Sequence, residues 1–162
     1  MTSVACSSGS SASSDAERVR RLLGRAPHAG FEVSVRCPHG APAVIRNAPR
    51  DRDGNPFPTR DWLACRALVD AVSRLEAAGG VRELERDPEM AGPLAEAQRR
   101  HAALHAGHNV AGVADPLRVK CLHAHLAFAL AEGGGPVADW IAARAGARWP
   151  ERCCLDEAGP DG

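Results

Sequence analysis

The sequence predicts an α+β domain that is mostly α: one β-hairpin packed against about five helices. Three observations predict it. Apolar residues alternate with polar ones in one place, around Phe31 to Val35; they recur at helical spacing through most of the chain beyond Arg66; and Gly, Pro and Asp punctuate the intervals. The length of 162 residues suits one domain, and a hydrophobic content of 44% is enough to supply its core.

Residues 1–13 are a Ser-rich stretch that cannot offset its own ordering entropy and reads as a disordered tail, residues 14–155 as the single globular domain, and residues 156–162 as a second frayed tail. Ser14 and Asp15 are cap residues before a short apolar stripe of Val19, Leu22 and Leu23 that stops at Gly24. Phe31, Val33 and Val35 alternate with Glu32, Ser34 and Arg36 as in a half-buried strand. Cys37-Pro38-His39-Gly40 supplies turn chemistry, and Ala43 to Arg46 returns as the second strand. Pro49 to Pro58 is a loop.

Arg66 to Ala78 places Leu68, Val69, Val72 and Leu75 on one helical face, and Gly79-Gly80 breaks it before a short turn at Val81 to Arg86. Asp87-Pro88 restarts a helix that runs to about His105, since Asp caps and Pro is tolerated at the first position. Asp115-Pro116 repeats that signal. The segment Leu117 to Ala131 that follows is apolar nearly all round, which predicts the central buried helix. Gly133 to Gly135 ends it, and Pro136 to Ala145 forms a last helix stopping at Gly146. The three Trp and three Phe are the expected large core pieces.

Twenty basic and twenty acidic side chains balance to zero, without the basic excess of a general nucleic-acid binder. No run of about eighteen apolar residues spans a membrane. The N-terminus lacks the basic and apolar regions of a secretory signal, so the expected compartment is the cytoplasm. There, cysteines serve as thiols or metal ligands more than as disulfides.

Cys6 lies in the tail; the other five cysteines fall at four places. Cys37 sits at the hairpin tip, Cys65 before a helix, Cys121 inside the expected central helix, and Cys153-Cys154 near the end. No Cys-x-x-Cys pair exists, which disfavours an ordinary zinc finger. Iron–sulfur clusters gather thiolates from distant segments, so Cys37, Cys65, Cys121 and Cys153 or Cys154 point to a cluster, with zinc as the alternative. At a helix N-terminus the Cys65 thiolate is expected to be stabilised by backbone amides. In a continuous helix Cys121 and His125 share a face, making His125 the candidate histidine ligand. His123 would lie about 200° away and be excluded. His39 is expected in solvent. His101, His105 and His108 follow helical spacing, which invites a metal reading, yet His101 also falls on the apolar stripe of Met90, Leu94, Ala97 and Leu104.

Cys37-Pro38-His39-Gly40-Ala41-Pro42-Ala43-Val44, Pro56-Phe57-Pro58-Thr59 through Trp62-Leu63-Ala64-Cys65, Ser73-Arg74-Leu75-Glu76, and Lys120-Cys121-Leu122-His123-Ala124-His125-Leu126 together carry a resemblance. The chain resembles an uncharacterised bacterial family common in actinobacteria, domain of unknown function 501, over about residues 31–154. The Lys-Cys-Leu-His-Ala-His string is its most specific part. The resemblance implies a cytoplasmic bacterial protein and no particular activity. Cys65 is followed here by Arg66, where the family has Cys-Pro.

The leading expectation is thus a small protein with a metal or iron–sulfur site. A second is an enzyme with Cys65 as nucleophile and His39 or His125 as base. A third is a helical module for a protein partner, its cysteines filling the core. No motif identifies a substrate.

Overall fold

The computed structural model describes residues 12–156, those at 12–14 by their backbone alone. Strand β1 (Phe31–Arg36) keeps the expected alternation, with Phe31, Val33 and Val35 half-buried and the residues between them exposed. Strand β2 (Pro42–Asn47) is buried at nearly every position, because it lies between two neighbours and is covered on both faces. Their turn closes with the Cys37 amide donating to the Ala41 carbonyl and the Gly40 amide to the Cys37 carbonyl, both at 2.9 Å. Gly40 takes φ +84°, a conformation that costs glycine little.

A third strand, β3 (Asp61–Leu63), extends the hairpin into an antiparallel sheet of order β1-β2-β3. Three residues are too few for alternation to register in the sequence. The pairing sets Asp61 opposite Arg46, Ile45 opposite Trp62 and Val44 opposite Leu63. That register places a carboxylate beside a guanidinium, a favourable cross-strand pair.

Helix α1 (Ala12–Leu23) begins ahead of Ser14-Asp15, and the Asp15 carboxylate instead holds Arg36 at 2.6 Å, tying α1 to the hairpin. Helix α2 (Arg66–Ala77) buries Leu68, Val72 and Leu75 of the predicted face together with Ala71, while Val69 is half-buried. Gly79, at φ +93°, starts α3 (Gly80–Arg86), where a Cβ on Gly80 would lie 2.5 Å from Leu75 Cγ. Asp87 caps a single 3₁₀ turn (Pro88–Met90) by accepting the Glu89 amide, and α4 (Ala91–Leu104) follows. Pro93 sits in the first turn of α4, where an amide has no intrahelical acceptor to lose.

Helix α5 (Leu122–Ala131) packs on β3 and against α6 (Pro136–Ala145). Its start corrects the sequence reading by five residues. Asp115 accepts the Leu117 amide at 2.9 Å and closes only a turn, and Leu117 is 68% exposed. The Val119 amide goes to the Glu85 carboxylate and the Leu122 amide to Glu76, so the backbone there is satisfied without a helix. Cys121 therefore caps α5 rather than lying within it.

Trp140 lies in the main core and Phe128 in a smaller buried cluster with Val110, Ala111 and Ala124. Trp62 is only partly buried, with the Phe57 ring tilted against it at 5.5 Å, so the aromatic residues are not uniformly core pieces as expected. Among the described residues, no helix is long and apolar enough to cross a membrane.

Candidate metal centres

The expected cysteine ligands fall in two places. Cys65 Sγ lies 3.9 Å from Cys154 Sγ, and Cys37 and Cys153 are buried in the same core cluster. Cys121 belongs elsewhere, against Val110, Ala111, Ala124 and Phe128. The free thiols among the described residues are Cys37, Cys65, Cys121 and Cys154; Cys153 is otherwise engaged.

Cys65 does precede α2, but burial pushes its thiol up to about 12, with Cys154 adding to the rise and the amides of Leu68 and Ala67 only partly opposing it. Desolvation outweighs the helix terminus, the reverse of the expected activation. His39 is not left to solvent either. Its Nε2 donates to the Pro150 carbonyl at 2.9 Å, joining the hairpin turn to the C-terminal segment.

Two groups of three metal-capable side chains bring ligand atoms within 4.8 Å of one another among the described residues. The first is Asp61, His101 and His105, none more than 5% exposed. His101 and His105 stand one turn apart near the C-terminal end of α4, and their ring centroids are 4.5 Å apart. Asp61 enters from β3, some forty positions earlier, and Phe128 of α5 stands edge-on to both rings.

The loop after α4 folds back and fixes these side chains. Gln98 accepts the Val110 amide at 2.8 Å, and the His108 carbonyl meets His101 Nδ1 at 2.6 Å. A carbonyl can only accept, so His101 Nδ1 carries the proton and Nε2 keeps its lone pair. Such a bond commonly orients a metal-ligating histidine. Asp61 Oδ1 accepts from Arg46 at 2.9 Å, while Oδ2 has no hydrogen-bond partner and faces His105 Nε2 at 3.9 Å.

Neither ring nitrogen of His105 has a partner. Burial, helped by His101, Arg60 and Arg46, pulls its pKa down to about 4. Burial also lowers His101 and raises Asp61, the latter against the pull of Arg46. All three shifts favour the uncharged form, as expected where charge is desolvated.

His125 is 2% exposed, and both its nitrogens also lack partners. Burial and then His101 pull its pKa down to about 4. Its expected pairing with Cys121 rested on a continuous helix, and Cys121 lies outside α5.

The second group is Glu76, Cys121 and His123, partly open to solvent. It includes the histidine that helical spacing excluded. Because Cys121 has extended backbone (φ −155°, ψ 151°), its thiol turns back over the first turn of α5 and accepts the Ala124 amide at 3.4 Å. Burial raises this thiol's pKa, with the Ala124 and His123 amides pulling the other way.

Sequence reasoning noted the helical spacing of His101 and His105 without placing them among the ligands, and it missed Asp61 and Glu76. Acidic residues elsewhere pair with arginines close in sequence. Glu17 with Arg20 and Glu96 with Arg99 fit that description.

No curated protein and no solved structure matches the chain. A family model described as "protein of unknown function (DUF501)" matches residues 33–106 and 94–143, a span that includes all six side chains of the two groups. The two centres therefore lie within a shared family domain: this chain belongs to the DUF501 family of proteins of unknown function.

Proposed function

We propose that this is a metal-binding protein whose ion is held by Asp61, His101 and His105. The observation that carries the reading is the convergence of unpartnered, buried polar atoms. Asp61 Oδ2 and both nitrogens of His105 are buried without hydrogen bonds, and Asp61 Oδ2 and His105 Nε2 face each other at 3.9 Å. Each such group costs about 1–3 kcal/mol when left unsatisfied. One cation offsets the cost at Asp61 Oδ2 and one nitrogen of His105.

The donor set is chemically apt. Two neutral imidazoles and a carboxylate suit zinc or iron(II), whose ligands stand about 2.0–2.2 Å from the ion. Two ligands at that radius, set at a wide angle, span the separation between Asp61 and His105. His101 Nε2 is left as the ligand atom by the proton that Nδ1 donates to His108. Burial on all sides favours an ion retained within the fold over one exchanged with solvent. The iron–sulfur reading draws its support from the Cys65–Cys154 pair, with Cys37 buried in the same core cluster. A set of nitrogen and oxygen donors supports zinc or a single iron ion instead.

The test is elemental analysis of protein purified without chelator and then supplied with zinc or iron(II). One ion per chain is expected, lost in His105→Phe and in Asp61→Asn while both variants keep their helical circular dichroism. A folded wild-type protein that takes up neither ion, or full occupancy in both variants, overturns the reading.

A further inference from the structure

We propose that Glu76, Cys121 and His123 form a second, solvent-open site for a thiophilic divalent ion such as zinc. Its residues are distinct from those of the buried centre, and it stands or falls separately. His123 Nε2 meets the Val69 carbonyl at 3.2 Å and Ser73 Oγ at 3.1 Å. The carbonyl only accepts, so Nε2 carries the proton. The other nitrogen, Nδ1, then directs its lone pair toward Glu76 Oε1 at 3.2 Å. A cation between that lone pair and the carboxylate, a second proton or a metal ion, satisfies both atoms; the other tautomer, with Nδ1–H donating to Glu76 and the Ser73 hydroxyl donating to Nε2, is satisfied without one.

The thiol favours the metal. A proton shared by Glu76 and His123 leaves Cys121 only its capping bond to the Ala124 amide, whereas a metal ion would use all three ligand atoms, which lie within 4.8 Å of one another. The surrounding groups act as a metal's outer shell does. Val69 orients the imidazole, and the Leu122 amide fixes Glu76 Oε1. Thiolate, imidazole and carboxylate together select zinc or cobalt over magnesium or calcium. Binding displaces the thiol proton, so uptake strengthens as pH rises. Glu76 and His123 are each 25% exposed, in contrast with 1% and 5% for Asp61 and His105. Three protein ligands on an open side leave a coordination position for water.

The experiment is titration of cobalt(II) into the metal-free, reduced full-length chain, followed by absorption. Cobalt on a thiolate gives a sulfur-to-metal charge-transfer band in the near ultraviolet, which an Asp-His-His centre cannot give. The expected result is that band, abolished in Cys121→Ser and weakened at least about tenfold in apparent affinity in His123→Gln. Serine is itself a good helix cap, so Cys121→Ser keeps the start of α5. One bound cobalt with a Cys121-dependent band supports this site and counts against the buried one. Cobalt bound without a sulfur band, or a band that survives Cys121→Ser, overturns this proposal and leaves the buried centre standing.

Discussion

Acid should destabilise the metal-free protein through His125, and the size of the effect follows from its surroundings. The side chain is 2% exposed with no partner on either nitrogen, and burial pulls its pKa from 6.5 to about 4. The unfolded chain therefore binds a proton between those values that the folded chain refuses. Stability is complete above pH 6.5 and falls as the pH drops toward 4. A gap of about 2.5 pH units corresponds to roughly 3 kcal/mol. His105, also held near 4, adds a loss of the same sign in the same window. The two do not simply add, since His101 acts on both. Against a typical domain stability of about 5–15 kcal/mol, a loss of this size is a large fraction of the whole.

Replacing His125 by Leu removes the titrating group and two unsatisfied nitrogens at once. The expected outcome is unchanged or slightly greater stability at pH 7.5, by up to about 1 kcal/mol. The acid loss should shrink by roughly 2–3 kcal/mol between pH 7.5 and 4.5. Urea unfolding of chelator-treated protein across that range measures both. Equal losses for the wild type and His125→Leu would refute the assignment.

Other substitutions probe the frame around the centres. Gly112 has φ +73°, and a Cβ there would lie 2.6 Å from Pro58 Cβ, so Gly112→Ala should cost about 1–3 kcal/mol and lower the calorimetric midpoint. Asp87 accepts both the Glu89 amide and Trp140 Nε1, so Asp87→Ala should destabilise by about 1–2 kcal/mol in urea. With its thiol pushed up to about 12, Cys65 should resist iodoacetamide in the folded protein at pH 8 and react only on unfolding, as read by peptide mass. Rapid labelling of native Cys65 would restore the nucleophile reading.

Local signals were legible wherever a period or a cap decided the structure. The alternation at Phe31 to Val35, the stripe of α2 and the Gly79-Gly80 break all appear in the fold. So does the one-turn spacing of His101 and His105. These depend on neighbours within a few positions, and short-range sterics and burial act on them directly. The start of α5 did not follow its local signal, because Glu76 and Glu85, both distant in sequence, took the amides a longer helix would have used. That shift is what carried Cys121 out of the helix and brought it to His123.

The candidate centres were the least legible part, for the same reason. Asp61 belongs to a three-residue strand whose register opposite Arg46 exists only once the sheet has formed. Its meeting with α4 depends on how the helices stack on that sheet. Composition and spacing sufficed for the fold class and the list of residues able to bind metal, and four residue strings carried the family resemblance. Which of them meet, and which thiols burial keeps protonated, depended on contacts between segments far apart in the chain, since only packing sets the distance and desolvation of groups that sequence separates.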